Sequence, residues 1–270
     1  MSIKKPLIVA IANPKGGVGK STTTANLAAV AARHGLKVLL FDLDPQASAS
    51  DISGVNEDAI TSFASAMFGE ASVLPSSIAV ETSCGYDIIP AGSDLITAED
   101  MIGKLPMGEQ RLSLLIDSDT ALSKYDLILI DTVGARWRLL TACLMATDNV
   151  IVPLRPSRLS VKELPDLLEL IRYLTPYRGK KGPISIRGLF FTEVDERTVA
   201  TKININDVRA TVGDDQLVMN TMIPKSTVIE QAALVSQPVV LYDAHCGVSR
   251  AYEELFVELF PELLREQKSA

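Results

Sequence analysis

The chain is poor in cysteine, in excess basic charge and in long apolar runs, and each shortage excludes something. Cys84, Cys143 and Cys246 are scattered and odd in number, with no CxxC spacing. That pattern argues against a disulfide framework or a thiolate metal site, and for buried thiols in a reducing compartment. No stretch approaches the roughly 20 apolar residues that a membrane helix needs. The apolar run in MSIKKPLIVAIAN passes directly into a glycine loop, so it reads as a first strand and not as a signal peptide. A cytoplasmic protein is expected. The net charge of -7 argues at first against nucleic acid as a partner. Internal repeats, low-complexity tracts and linkers are also missing, so residues 1–270 read as one domain.

Short apolar runs alternate with helical patterns along most of the chain. LIVAIAN (7–13), KVLLFD (37–42), YDIIP (86–90), DLILIDT (126–132), NVIVPL (149–154), IRGLFFTE (186–193) and LVMNTM (217–222) read as strands. Several are nearly continuous in apolar residues, as parallel strands covered on both faces are. STTTANLAAVAARHG, ending at Gly35, and SVKELPDLLELIRYL, ending before Pro176, read as helices. The alternation implies an α/β fold, a doubly wound and mostly parallel sheet flanked by helices. The segment 46–85, rich in Ala, Ser and Asp, reads as a helical insertion.

LIVAIAN, PKGGVGK and STTTANLAAV are the strand, glycine loop and helix that a phosphate-binding P-loop requires. Gly16, Gly17 and Gly19, with Val18 between them, let backbone N–H groups turn inward around phosphate oxygens. Lys20 is spaced to reach the β- and γ-phosphates of ATP, and the Ser21 hydroxyl to ligate Mg²⁺. Ser21 and Thr22 begin a helix whose dipole favours an anion. The ordinary pattern GxxxxGK[ST] puts glycine at position 14, where this chain has Pro14. A second lysine, Lys15, also stands in the loop, although one phosphate cradle needs only one.

KGGVGKST resembles the deviant Walker A loop of the ParA/MinD ATPases. In that family two subunits sandwich two nucleotides, and the early lysine crosses to the partner's phosphates. The resemblance implies that Lys15 places positive charge on the transferring phosphoryl in trans, as an arginine finger does, and that productive ATP binding requires a homodimer. FDLDPQ (41–46) is similar to the family's second acidic motif, which implies that Asp44 orients the attacking water and that Asp42 lies near Mg²⁺ through water. DLILIDT ends in Asp131 as a Walker B strand does, implying a carboxylate for the Mg²⁺ shell. Lys15, Lys20 and Asp44 are therefore the candidate catalytic residues. Lys15, Gly16, Gly17, Val18, Gly19, Lys20, Ser21 and Thr22 are the candidate nucleotide-binding residues, and Ser21, Asp42 and Asp131 the metal-holding ones. One departure stands out: after Asp131 the partition ATPases commonly have a proline pair, and this chain reads DTVGARWRLL. Val133-Gly134 would alter how the following loop reports the γ-phosphate. Arg136-Trp137-Arg138 either touches a partner or DNA, or packs Trp137 on the sheet edge.

The resemblance continues through VPLRPSRLSVKEL (152–164) and through residues 222–255, where Pro224 begins the loop that packs by the adenine. Only six residues precede the first strand, so the expectation is the short form without an N-terminal DNA-binding extension. ParA proteins bind the nucleoid non-specifically as ATP dimers, and a ParB-like partner stimulates hydrolysis and release. MinD relatives bind membrane through a basic amphipathic C-terminal helix. Here the C-terminus carries Glu253, Glu254, Glu258, Glu262 and Glu266 and is interrupted by Pro261, a face that anionic lipid repels. Charge is unevenly spread: residues 151–209 hold 11 Lys/Arg against seven Asp/Glu, a balance of +4 that leaves -11 elsewhere. A local basic patch, doubled in a dimer, suffices for non-specific DNA. By similarity to the ParA surface, Lys202, Arg209, Lys225 and Arg250 are the DNA-binding candidates. Besides the leading partition reading, three alternatives stand. A MinD-like membrane ATPase would sediment with liposomes in ATP. A metabolic P-loop enzyme of the dethiobiotin-synthetase type would need a small carboxylate pocket. Electron transfer of the nitrogenase iron-protein type would need two cysteines per subunit, and Cys143 has no convincing second ligand.

Overall fold

The computed structural model describes residues 5–55, Ala64, Met67, 73–134, 137–195 and 197–267. Its strands are β1 (Leu7–Ile11), β2 (Val38–Leu43), β3 (Val80–Glu81), β4 (Asp87–Ile89), β5 (Leu127–Thr132), β6 (Asn149–Leu154) and β7 (Ser185–Phe191). They form one seven-stranded sheet in the order β3-β4-β2-β5-β1-β6-β7. Every pairing is parallel except that of the short edge strand β3 with β4. The helices are α1 (Lys20–Arg33), α2 (Ser48–Ile52), α3 (Ala98–Lys104), α4 (Arg111–Ser118), α5 (Trp137–Ala146), α6 (Arg158–Leu174), α7 (Val199–Val212), α8 (Val228–Leu234), α9 (Val239–Tyr242), α10 (Gly247–Leu259) and α11 (Pro261–Gln267).

The strand alternation sorts the core into two layers. Ile8 and Ala10 of β1 face one layer with Leu139 of α5, Leu164 of α6 and Val208 of α7. Val9 and Ile11 face the other, with Ala25, Ala28 and Ala29 of α1 and Tyr252, Phe256 and Leu259 of α10. Because both faces are covered, β2 and β5 are buried at every residue, which explains their unbroken apolar spelling. The alanines of α1 remove bulk between helix and sheet, so the helix that begins at the glycine loop lies close on the central strands.

Two expectations need correction. Residues 217–222 do not form a strand. Val218 makes a single bridge to Leu189, and the Met219 and Ile223 N–H groups donate to Leu189 O and Phe191 O, both at 2.8 Å. Polar Asn220 and Thr221 turn aside, their N–H groups capped by Glu258, so the apolar spelling alone does not sustain a ladder. The segment 46–85 is not wholly helical either. It holds α2, then a 3₁₀ turn at Pro75–Ser77 and the edge strand β3, with 56–63, 65–66 and 68–72 outside the described residues.

β7 carries a bulge, since Val150 pairs with Ile186 and Ile151 with Gly188. The extra residue, Arg187, is thereby aimed at the junction of α10 and α11, where it pairs with Glu262 and donates to Leu259 O at 2.7 Å. Gly188 then faces the core so closely that a Cβ would meet Leu259 Cδ2 at 2.8 Å and Met219 Cε at 3.0 Å. Gly188→Ala should destabilise by about 1–3 kcal/mol through overpacking. A thermal melt read by circular dichroism checks this, and an unchanged midpoint would show that α10 has room to shift.

Candidate functional site

The glycine loop leaves β1 at the edge where β2 and β5 also end. Asn13 fixes its start: Nδ2 donates to Pro153 O and Oδ1 accepts from the Lys15 N–H, both at 2.9 Å. Gly17 and Gly19 take positive φ of 69° and 81°, a left-handed conformation that costs glycine nothing. Thr192, just beyond β7, donates to Val18 O at 3.0 Å and braces the loop from the far side. Lys20 opens α1, is buried, and donates to the Lys15 carbonyl at 3.0 Å. Lys15 itself is half-buried at the rim, its ammonium on Ser157 Oγ at 3.2 Å. The two loop lysines are therefore not equivalent: one is folded into the cradle and the other is lodged beside it.

Below the loop stand two buried carboxylates. Asp42 and Asp131 are directly opposite each other in the β2–β5 register. Burial pushes Asp42 up to about 6, and the charge of Asp44 adds to this, while two hydrogen bonds from Ser50 and one from the Asp44 N–H oppose it. Burial likewise raises Asp131 well above the carboxylate range, with Asp42 next in effect, and the nearby Ser21 hydroxyl and Lys20 pull the other way. Lys20 is lowered by burial, against the attraction of Asp131 and Asp44. Thr24 donates to Asp131 Oδ1 at 3.2 Å, but Oδ2 is buried and has no hydrogen-bond partner among the described residues. A hard cation with oxygen ligands answers that orphaned oxygen and the facing charges. Asp131, Asp42 and Ser21 therefore fit Mg²⁺, which would supply charge for phosphate oxygens. Asp44 sits one turn outward, half-buried, its Oδ1 accepting from the Gln46 N–H at 3.0 Å.

The unusual residues after β5 touch the loop directly. A Cβ on Gly134 would meet Pro14 O at 3.1 Å and Gly16 N at 3.3 Å, so glycine allows the two segments to lie in contact. Trp137 begins α5 and is 51 % exposed, so it does not pack on the sheet edge. Arg138 pairs with Glu109 and flattens against Gly103. Glu99 of α3 accepts from the Leu139 and Arg138 N–H groups at 3.0 and 3.4 Å, capping α5 from outside. Arg136 lies outside the described residues.

Residues 7–181 match the family model described as "AAA domain". The chain is 34% identical, over its whole length and all of the relative's, to the chromosome partitioning protein ParA of Caulobacter vibrioides. This chain belongs to the ParA family of partition ATPases. It is 32% identical to the chromosome-partitioning ATPase Soj of Treponema pallidum, over 92% of this chain and 94% of that one. Among solved structures it resembles cobyrinic acid a,c-diamide synthase of Mycobacterium smegmatis with bound ADP and magnesium, with a TM-score of 0.75 and 28% identity over 98% and 96% of the two chains. The chain is thus a P-loop ATPase with the doubly wound fold expected.

Not every predicted site residue joins the phosphate loop. The loop residues, Asp42, Asp44 and Asp131 converge at one edge, and Pro224 lies beside the end of β7, bridged to Val194. Lys202 and Arg209 sit on α7, on one face of the sheet, whereas exposed Arg250 is on α10, which packs on the other. Lys225 follows Pro224, is exposed, and feels Asp195. Several cations of the basic segment already have intrachain partners, among them Arg178 with Asp148, Lys181 with Asp117 and Arg187 with Glu262. Sequence reading overlooked Ser50, Thr24, Thr192 and Ser157, whose partners lie 8, 107, 174 and 142 residues away. Cys143 is wholly buried on α5 and offers no thiol at a surface.

Asp131→Asn replaces the carboxyl that burial disfavours most with a neutral side chain able to donate to Asp42. Nucleotide-free protein at neutral pH should gain about 1 kcal/mol, or roughly 2–4 °C in midpoint, and lose Mg²⁺-dependent ATP hydrolysis. Differential scanning fluorimetry beside a phosphate-release assay reads both. A variant that is less stable yet still hydrolyses ATP would sink this account of the pair.

Proposed function

We propose that this ATPase, taken as one domain over residues 1–270, is a nucleotide-gated DNA-partition protein. Bound ATP and Mg²⁺ bring two copies together, the pair holds DNA without regard to sequence, and a ParB-like adaptor stimulates hydrolysis and release. The observation that carries this reading is the unequal pair of loop lysines. Lys20 is buried in the cradle of its own chain, so the local phosphate charge is already served. Lys15 is held at the rim by one neutral hydroxyl, a contact that a phosphate oxygen readily replaces. In a sandwich of two copies, that lysine would meet the phosphoryl group bound by the other chain and stabilise charge there at the moment of transfer. Asp44, on a short turn beyond β2 and near Lys20, is suited to orient water, and the carboxylate pair to hold the metal shell.

The relatives in Caulobacter vibrioides and Treponema pallidum are a chromosome partitioning protein and a chromosome-partitioning ATPase. A nucleoid-associated, cytoplasmic ATPase follows for this chain by that likeness. DNA contact would fall to Lys202, Arg209, Lys225 and Arg250. Because they lie on different layers, a duplex reaching all of them spans an edge of the dimer and not one flat face. A membrane role is disfavoured by the packing of α10. Its Val248, Tyr252, Leu255, Phe256 and Leu259 are buried, and no helix among the described residues is long and apolar enough to cross a membrane. Glu253, Glu258 and Glu262 are engaged with His34, the Asn220–Thr221 turn and Arg187.

Lys15→Ala should retain nucleotide binding while losing adaptor-stimulated turnover by at least about tenfold, read as phosphate release. Normal stimulated turnover would remove the cross-subunit role. Fluorescence anisotropy of a random-sequence duplex should show binding with ATP but not with ADP or without nucleotide. Even two net phosphate contacts predict about a tenfold loss of affinity for a fourfold rise in salt. Binding that ignores nucleotide or salt would count against the gate.

A further inference from the structure

A third cation stands at the phosphate loop. Arg155 follows β6, and its Nη1 lies 4.0 Å from where a Cβ on Gly17 would be. Gly17 is on the exposed outer half of the loop, away from the helix N-terminus. The guanidinium is not idle: Nε donates to Glu193 Oε1 at 2.8 Å, and Nη2 bonds the same oxygen. Only one carboxylate oxygen is used, and 42% of the Arg155 side chain remains open to solvent.

Glu193 is unusual in its own right. It stands just after Thr192, the brace of the loop, and takes a φ of +51°, a conformation that residues with a side chain seldom adopt. Both neighbours are fixed, Thr192 by its hydroxyl bond to Val18 O and Val194 by its N–H bond to Ile223 O at 3.0 Å. The strained backbone at Glu193 thus turns its carboxylate back over the loop, onto Arg155. An arginine and a glutamate that faced open solvent would gain little from such a pose. Beside a site that receives a polyanion, the same pose stores a cation without leaving it uncompensated.

We propose that Arg155 is a phosphate-contacting residue of the same chain, held by Glu193 while the loop is empty and transferred to the terminal phosphate when ATP binds. Planar, bidentate guanidinium is suited to that exchange, because phosphate oxygens offer the fork geometry that a single carboxylate oxygen does not. The device favours ATP over ADP, since the contact is with the outer part of the loop. It rests on the reading that Lys15 to Thr22 cradle nucleotide.

The test is a titration of wild type and of Lys20→Ala, Arg155→Ala, Arg155→Lys and Glu193→Gln with fluorescent ATP and ADP analogues and Mg²⁺, each variant checked by thermal melting. Arg155→Ala should weaken ATP about tenfold and ADP less than about threefold. Arg155→Lys should recover part of that loss. Glu193→Gln should tighten ATP by about threefold, because the guanidinium no longer has to be withdrawn from a charge. Equal weakening of both nucleotides by Arg155→Ala and Glu193→Gln would make the pair a structural brace and overturn the proposal, as would no change in either. If Arg155→Ala does not fold, opposite signs for Arg155→Lys and Glu193→Gln support the proposal and like signs refute it. Unaltered binding in Lys20→Ala would instead refute the underlying reading of the loop.

Discussion

The site is organised around two buried carboxylates that the sheet sets side by side. Parallel pairing of β2 with β5 puts Asp42 against Asp131, and coverage of both faces removes the water that would otherwise screen them. Two carboxylates cannot share such a place cheaply, so the surrounding chain is built to offset them. Ser50 spends both its N–H and its hydroxyl on Asp42, and Thr24 and Lys20 act on Asp131. Lys20 can do so only because the loop turns through Gly17 and Gly19 and delivers it at the first position of α1. The small residues of α1 then let that helix lie close enough to the central strands for the arrangement to close. A protein selected for stability alone would replace one aspartate. Retaining both leaves an unsatisfied oxygen that a metal ion can answer.

Much of this is legible in the sequence, for a definite reason. Strands covered on both faces are written in consecutive apolar residues, and β1, β2, β5 and β6 were each spelled that way. A loop that must present N–H groups without side chains is written in glycine, and acidic residues that end buried strands are conspicuous. Legibility fails where a residue's environment comes from distant chain. LVMNTM has the composition of a strand, but Glu258 from α10 draws its middle residues off the ladder. β3 is two residues long and pairs only at an edge, too short for a period to register. Thr24, Thr192 and Ser157 are ordinary in spelling and acquire importance from partners 107, 174 and 142 residues away.

Charge illustrates the same limit. The segment 151–209 reads as basic, but part of its excess is met by carboxylates elsewhere, including Asp117, Asp148 and Glu262. Arg178 is the extreme case, with a side chain shielded from solvent and spent on the Thr147 and Gly182 carbonyls. A count along the chain overstates what the surface offers. The exposed lysines on α7 and beyond Pro224 keep their charge outward, whereas the arginines beneath the sheet edge serve as internal fasteners.

The cap on α5 has a consequence for where an anion can settle. Three of the helices that follow parallel strands, α1, α5 and α6, begin near the edge where the central strands end, and each N-terminus in principle attracts negative charge. Glu99 already occupies α5 with a carboxylate of the protein's own. Ser157 closes α6 by accepting the Ser160 N–H at 3.3 Å. α1 has neither an acidic first turn nor a side-chain cap. The protein thus answers a question of address by exclusion: two doors are shut from within, and an arriving polyphosphate finds one open.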